Sequence, residues 1–363
     1  MESKTRSGAL GQARQKFTTR ERDCRRGSRY DREMRFSSAL VTLAVVFSAS
    51  ARLLPAQIAT QVANPPRTVA ITIDDLPFVT GDSSRPMSTA DANAAAAATH
   101  KLLDALAMHH VPVTGFVIQK SVETLGMNAG TAMLREWTQR GFDLGNHSYA
   151  HPDFDELTVA QFEDQIVRGE TAIRPLMEAS HRKVAFFRFP YNHTGDTKEK
   201  HDAVAAFLAQ RGYRLAPCTI EIEDWMFNAK YFLMWSRHDD ADAERLRADY
   251  LAFAAAQIDY FAVLDKQVFG YEPPQVMLIH ANQLNADVIE DLLDLFEKKQ
   301  YQFVTLAQAE SDAAYQTPET YITGYGPMWG YRWAKVRGVK VNGSKEPEPP
   351  KWITDYGAPS AKK

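Results

Sequence analysis

From residue 66 onward, short apolar runs rich in β-branched residues alternate with segments of helical periodicity. That alternation is what most constrains the fold of this 363-residue chain. A strand buried on both faces reads as a continuous apolar run, whereas a helix lying over it carries apolar residues three and four apart. Repeated strand-helix units are satisfied by a parallel sheet with helices outside, so the expected class is α/β. The runs at 69–73, 113–118, 142–145, 184–188, 213–216, 276–279 and 303–305 are the strand candidates. Ser88 followed by Asp91 gives a capping-box start to an Ala-rich helix reaching about residue 109. The spacing of Ile166, Ile173 and Leu176 predicts another helix over 155–177.

Other stretches stand outside this pattern. Residues 1–51 hold an Arg-rich polar segment, then Met34-Arg35, an apolar run over 39–47 and the small residues Ala49-Ser50-Ala51. This is the order of a secretory signal, with an apolar part too short to span a bilayer; Met34 reads as the true start and 52–65 as a linker. The expectation is an exported chain, periplasmic or extracellular, with no stable membrane span once processed. Setting residues 1–51 aside removes 11 Lys or Arg from 42 and 5 Asp or Glu from 45, leaving an acidic excess of nine that disfavours a nucleic-acid partner. Cys218 is then the sole cysteine, so an intramolecular disulfide is excluded. Residues 226–275 are too long for one connection and read as an insertion, with Leu251, Ala254, Ile258 and Phe261 at the spacing of an amphipathic helix. Residues 313–363 read as an aromatic, Pro-rich, loop-rich tail.

Chemistry-bearing residues fall where strands end. Asp74-Asp75 follows the run at 69–73, and the carboxyl ends of parallel strands are where α/β folds build sites. Asn146-His147-Ser148-Tyr149-Ala150-His151-Pro152 follows another strand; Pro152 disfavours helix at His151, which predicts a tight loop carrying two imidazoles. With ten His in the chain, such an i, i+4 pair arises by chance about 0.3 times, so its meaning comes from company. That company is Arg188-Phe189-Pro190-Tyr191, Glu221-Ile222-Glu223-Asp224-Trp225, and His280 after Val276-Met277-Leu278-Ile279. Charged residues at successive strand ends argue for one shared pocket.

In these five ordered motifs, over about residues 66–312, the chain resembles the NodB-homology polysaccharide deacetylases, carbohydrate esterase family four. The resemblance implies an irregular (β/α) barrel with the site at the strand C-terminal ends and one divalent metal, zinc first, with cobalt, manganese, nickel or iron as alternatives. Carried over residue by residue, it makes Asp75, His147 and His151 the metal ligands, Asp74 the general base and Arg188 its partner. His280 becomes the general acid, oriented by Asp224. Tyr191 contributes a backbone N–H to the oxyanion, Pro190 fixes the loop, and Trp225 walls the acyl pocket. The implied activity is hydrolytic removal of acetyl groups from a carbohydrate, N-acetyl before O-acetyl, by water activated at the metal. A two-His, one-carboxylate face suits this, since it leaves coordination positions open. Leu76-Pro77 stands where the family usually has Gly, and so does Asn192-His193; Glu221 and Met277 also depart from the usual pattern. These departures point to a divergent branch. An amidohydrolase acting on a small non-sugar C–N bond, or a silent glycan-binding protein on the same scaffold, stays open.

Overall fold

The strand carrying Asp74-Asp75 lies inside the sheet, with a strand paired on either side. The computed structural model describes residues 66–80 and 88–357; the readings of a signal, a start at Met34 and a linker lie outside them. In chain order the strands are β1 (Arg67–Val79), β2 (Val113–Val117), β3 (Asp143–Asn146), β4 (Phe186–Phe187), β5 (Arg214–Leu215), β6 (Ile220–Glu221), β7 (Gln275–Asn282) and β8 (Tyr301–Phe303). All pairings are parallel, in the order β5-β4-β3-β2-β1-β7-β6, with β8 on the first residues of β1. The closure is made by one bent segment. Ala216 donates its N–H to the Phe187 carbonyl and Thr219 to that of Val276, so a few residues carry the chain from beside β4 to beside β7 and curl the sheet into an irregular barrel.

The helices are α1 (Thr89–Met108), α2 (Gln119–Thr124), α3 (Met127–Gln139), α4 (Val159–Arg168), α5 (Ile173–Ala179), α6 (Lys198–Gln210), α7 (Asp224–Ser236), α8 (Asp240–Phe269), α9 (Gln283–Lys298), α10 (Leu306–Ala309), α11 (Trp329–Val336) and α12 (Lys351–Asp355). Among the described residues no helix is long and apolar enough to cross a membrane.

Side-chain parity decides what the barrel holds. Val69, Ile71 and Ile73 join the large cluster that includes Leu102, Leu106, Ile289 and Leu293 of α1 and α9. Ala70, on the opposite face, packs inward with Phe116, Phe186, Ala216, Val276, Leu306 and Ala309. Because strand side chains alternate, Thr72 and Asp74 share the face of Ala70, Arg188 continues that of Phe186, and His280 that of Val276. The apolar plug thus fills one end of the barrel and the charged residues emerge at the other.

Three expectations change on folding. β1 runs on past the Asp doublet to Val79 instead of stopping at Ile73. The helix expected over 155–177 divides into α4 and α5: Thr158 starts α4 with its own capping box, and Gly169 ends it where an added Cβ would meet the Asn146 side chain and the Ser148 backbone. The tail is not merely loop, since Trp329 and Trp333 of α11 bury against Leu264 and Val268 of α8. Residues 226–275 hold most of α7 and the 30-residue α8, whose Ala254, Ile258 and Phe261 face the core while Leu251 is half-buried against it.

Candidate metal centre and active site

The Asp doublet shows how local backbone makes a site. In a regular strand neighbouring side chains point to opposite faces, so only one of two adjacent carboxylates would enter the barrel. Here Asp75 takes a left-handed φ of 62°, and the pairing of β1 with β2 and β7 shifts register just after Ile73 and Asp74. Both carboxylates therefore approach one imidazole: His147 Nε2 lies 3.4 Å from Asp75 Oδ1 and 3.8 Å from Asp74 Oδ2.

His147 and His151 come from the loop after β3. Asn146 shapes that loop, accepting the Ser148 N–H at 2.8 Å on Oδ1 while its amide donates to the Ile166 carbonyl and the Tyr213 hydroxyl. Ser148 and His151 are both left-handed, with φ of 73° and 53°; the Ser148 hydroxyl accepts the His151 N–H, and Gln165 Oε1 accepts that of Ala150. His147 Nδ1 donates to the Arg188 carbonyl at 2.8 Å, which fixes the tautomer and leaves Nε2 with its lone pair facing Asp75. His151 Nε2 lies 3.6 Å from the same Asp75 Oδ1.

That oxygen is buried and has no hydrogen-bond partner. An orphaned buried carboxylate oxygen facing two imidazole nitrogens is costly unless something cationic sits among them. Burial opposes charge on Asp75, but the imidazoles, His151 first, hold its carboxyl well below the usual range. Burial pulls His151 down to about 4, so it is the neutral ring a metal requires. The donor set Asp75, His147 and His151, with ligand atoms within 4.8 Å of one another, fits one divalent cation.

Arg188 is fully buried and spends its donors on four acceptors. Nη1 reaches Asp74 Oδ1 at 2.8 Å and Thr72 Oγ1 at 2.7 Å, Nε reaches the Ala216 carbonyl and Nη2 that of Pro217. Its guanidinium also lies over the Phe116 ring. One Asp74 oxygen is thereby occupied and the other is turned toward the histidines.

His280 is in register with Asp74 across the β1–β7 pairing. Its Nδ1 lies 2.7 Å from Asp224 Oδ1, while Asp224 Oδ2 accepts the His280 N–H and the side-chain amides of Asn282 and Asn285. Burial works against charge on both. The charge of His280 first, and then the donors, nonetheless hold the Asp224 carboxyl below its usual value, and the carboxylates, Asp224 first, lift His280 to about 10. Tyr191 and Asn192 follow Pro190 with φ of 57° and 56°, and the Tyr191 ring lies 4.6 Å from that of His151. Trp225 opens α7 beside Asp224 and is 43% exposed. The expected residues other than Trp225 and Pro190 are thus linked by direct contacts or strand register; among the described residues the Trp225 ring makes no hydrogen bond or ring-ring contact with the cluster. Sequence reasoning missed Thr72, Asn146, Asn282 and Asn285; of these only Asn146, immediately before His147, carried a signal, as an Asx residue at a strand end.

With this geometry in place, similarity to known proteins becomes informative. Residues 61–214 match the family model described as polysaccharide deacetylase. Over that span, which is less than half of the 363 residues, the chain is similar to the polysaccharide deacetylase family. It is 22% identical over 127 residues to a peptidoglycan-N-acetylglucosamine deacetylase of Bacillus cereus, covering 35% of this chain and 41% of that protein. It is 28% identical over 127 residues to a chitooligosaccharide deacetylase of Sinorhizobium fredii, covering 35% and 53%. The matched part spans about half the length of these curated relatives or less. A solved polysaccharide deacetylase of Bacillus cereus superposes with a TM-score of 0.46 at 17% identity, covering 66% of this chain and 91% of that one. The polysaccharide deacetylase match holds the Asp doublet, both histidines and Arg188-Phe189-Pro190-Tyr191; Asp224 and His280 lie beyond it and reach the same pocket through the barrel closure.

Proposed function

We propose that the chain is an exported, metal-dependent hydrolase that removes acetyl groups from a carbohydrate, N-linked acetyl on an amino sugar foremost. Residues 66–312 form its catalytic unit, with 226–275 inserted. The observation that carries this is the buried, unpartnered Asp75 Oδ1 between two imidazole Nε2 atoms, with the free oxygen of Asp74 alongside.

Asp75, His147 and His151 would hold one divalent ion, zinc first, which when bound polarises the acyl carbonyl and acidifies water. Asp74 Oδ2 takes the proton from the attacking water, its Oδ1 held by Arg188 so that the carboxylate cannot swing away. As the water oxygen bonds to the acyl carbon, the carbonyl π pair moves onto oxygen, where the Tyr191 N–H stabilises it. His280, kept protonated by Asp224, gives the Nε2 proton to the departing nitrogen as the C–N bond breaks, releasing acetate and a free amine. The same groups serve an O-acetyl ester, the alkoxide taking the proton.

The test separates holding from reacting. Asp74→Asn is expected to keep full metal content and to lose acetate release from acetylated chito-oligosaccharides by roughly 10²–10⁴-fold, the range for a positioned base. Near-normal release by that variant removes Asp74 from the role.

A further inference from the structure

We propose that Arg332, in the C-terminal tail, is a positioning residue for the reaction: it locks the Pro190-Tyr191-Asn192 turn in the conformation that presents the Tyr191 N–H to the oxyanion. This rests on the deacetylase reading of the Tyr191 amide. The tail lies beyond the family match, which stops at residue 214.

The turn needs an external hold. Tyr191 and Asn192 are consecutive non-glycine residues in the left-handed region, which L side chains disfavour. Its internal bonds are Asn192 N–H to the Phe189 carbonyl and His193 N–H to that of Pro190, both at 3.1 Å, and Cys218 Sγ lies 3.3 Å from Asn192 Oδ1. The remaining carbonyls face the tail. Arg332 is 1% exposed, and its Nη2 donates to the Asn192 carbonyl at 2.5 Å while Nη1 donates to Thr194 Oγ1 at 3.1 Å. One guanidinium therefore grips the turn at its last residue and two residues beyond.

The arginine is itself fixed. Nη1 pairs with Glu319 at 2.7 Å, Nε donates to the Pro327 carbonyl at 3.1 Å, and the guanidinium lies over the Trp329 ring. Glu319 in turn is 2.5 Å from His201 of α6. α11 is anchored by the Trp329 N–H on the Cys218 carbonyl and by Trp329 and Trp333 against α8. From the other side, the tail backbone abuts the turn at Gly326, where any Cβ would run into the Tyr191 carbonyl. Two independent contacts from one tail segment thus bear on the two left-handed residues. A planar fork with several donors is what arginine provides and lysine does not.

The experiment uses the full, metal-loaded chain and the variants Arg332→Met, Arg332→Lys and Gly326→Ala, the last serving if the first fails to fold. Acetate-release kinetics, metal content, melting temperature and amide hydrogen exchange at Asn192 and His193 are measured on each. An interaction realised only in the transition state lowers kcat and kcat/KM together. The expected result is a kcat loss of at least tenfold, with KM and metal content within twofold of wild type and exchange at Asn192 and His193 at least tenfold faster. A folded variant with wild-type kcat and exchange overturns the proposal, as does a loss of activity that follows melting temperature or metal content alone. If wild type releases no acetate, the deacetylase reading falls and the exchange rates alone decide whether Arg332 holds the turn.

Discussion

At the scale of single residues, the site is made by backbone conformations that the sequence does not advertise. Asp75, Ser148, His151, Tyr191, Asn192 and Glu223 all adopt positive φ without being glycine, and each lies in or directly after a chemistry-bearing motif. Each such residue costs roughly 1–2 kcal/mol, so each has to be held by its surroundings. Glycine would remove the strain, but at Asp75 and His151 the side chain is the ligand candidate. The pH behaviour also belongs to this scale. Asp224 raises His280 against the effect of burial, to about 10, and a general acid is active only while protonated. Asp224→Asn removes the charge and leaves burial to pull His280 down, so the basic limb of the pH–rate profile is expected to move to lower pH by at least about one unit. A cation at Asp75 lowers the limb in both proteins without changing that sign. An unmoved limb in an active Asp224→Asn enzyme contradicts the role of His280.

At the scale of elements, β1 and α1 were legible because burial on both faces, and capping chemistry, leave local marks. The single helix read over 155–177 was wrong because its periodicity survives the break: Ile166 and Ile173 are both buried, yet on separate helices. The break is placed by a distant contact, Gly169 against Asn146 and the Ser148 backbone. Gly169→Ala is therefore expected to cost about 1–3 kcal/mol, the range for forcing extra atoms into a packed site, and to weaken metal binding through the loop bearing His147 and His151. Chemical denaturation and metal titration check both; unchanged values mean that the loop is set by other contacts. The same logic explains which site residues were legible. Asp74, Asp75, His147, His151 and His280 directly follow apolar runs or lie in the loop after one, which is visible as a pattern, whereas Asn282 and Asn285 meet Asp224 from about sixty residues away in sequence.

At the scale of the whole molecule, a barrel with an apolar plug at one end and charge at the other turns strand parity into a site. Ala70, Thr72 and Asp74 follow one another up the same inner face, from the Phe116–Phe186 plug to the Arg188 guanidinium to the pocket. The pocket is completed after the family match ends, by the bent β5–β6 segment, by Asp224 on α7 and by His280 on β7. What the sequence could not show was where the tail, read as loop-rich, places its aromatic residues, because packing on α8 decides that. The most direct test of the central claim, that Asp75, His147 and His151 hold one metal on which deacetylation depends, is a zinc titration of chelator-stripped protein with acetate release as the readout. Release is expected to be negligible at the start, to rise linearly with added zinc and to level off at one equivalent per chain, with His151→Ala showing no such break. Full release from the stripped protein, or a rise with no stoichiometric end point in wild type, would contradict it.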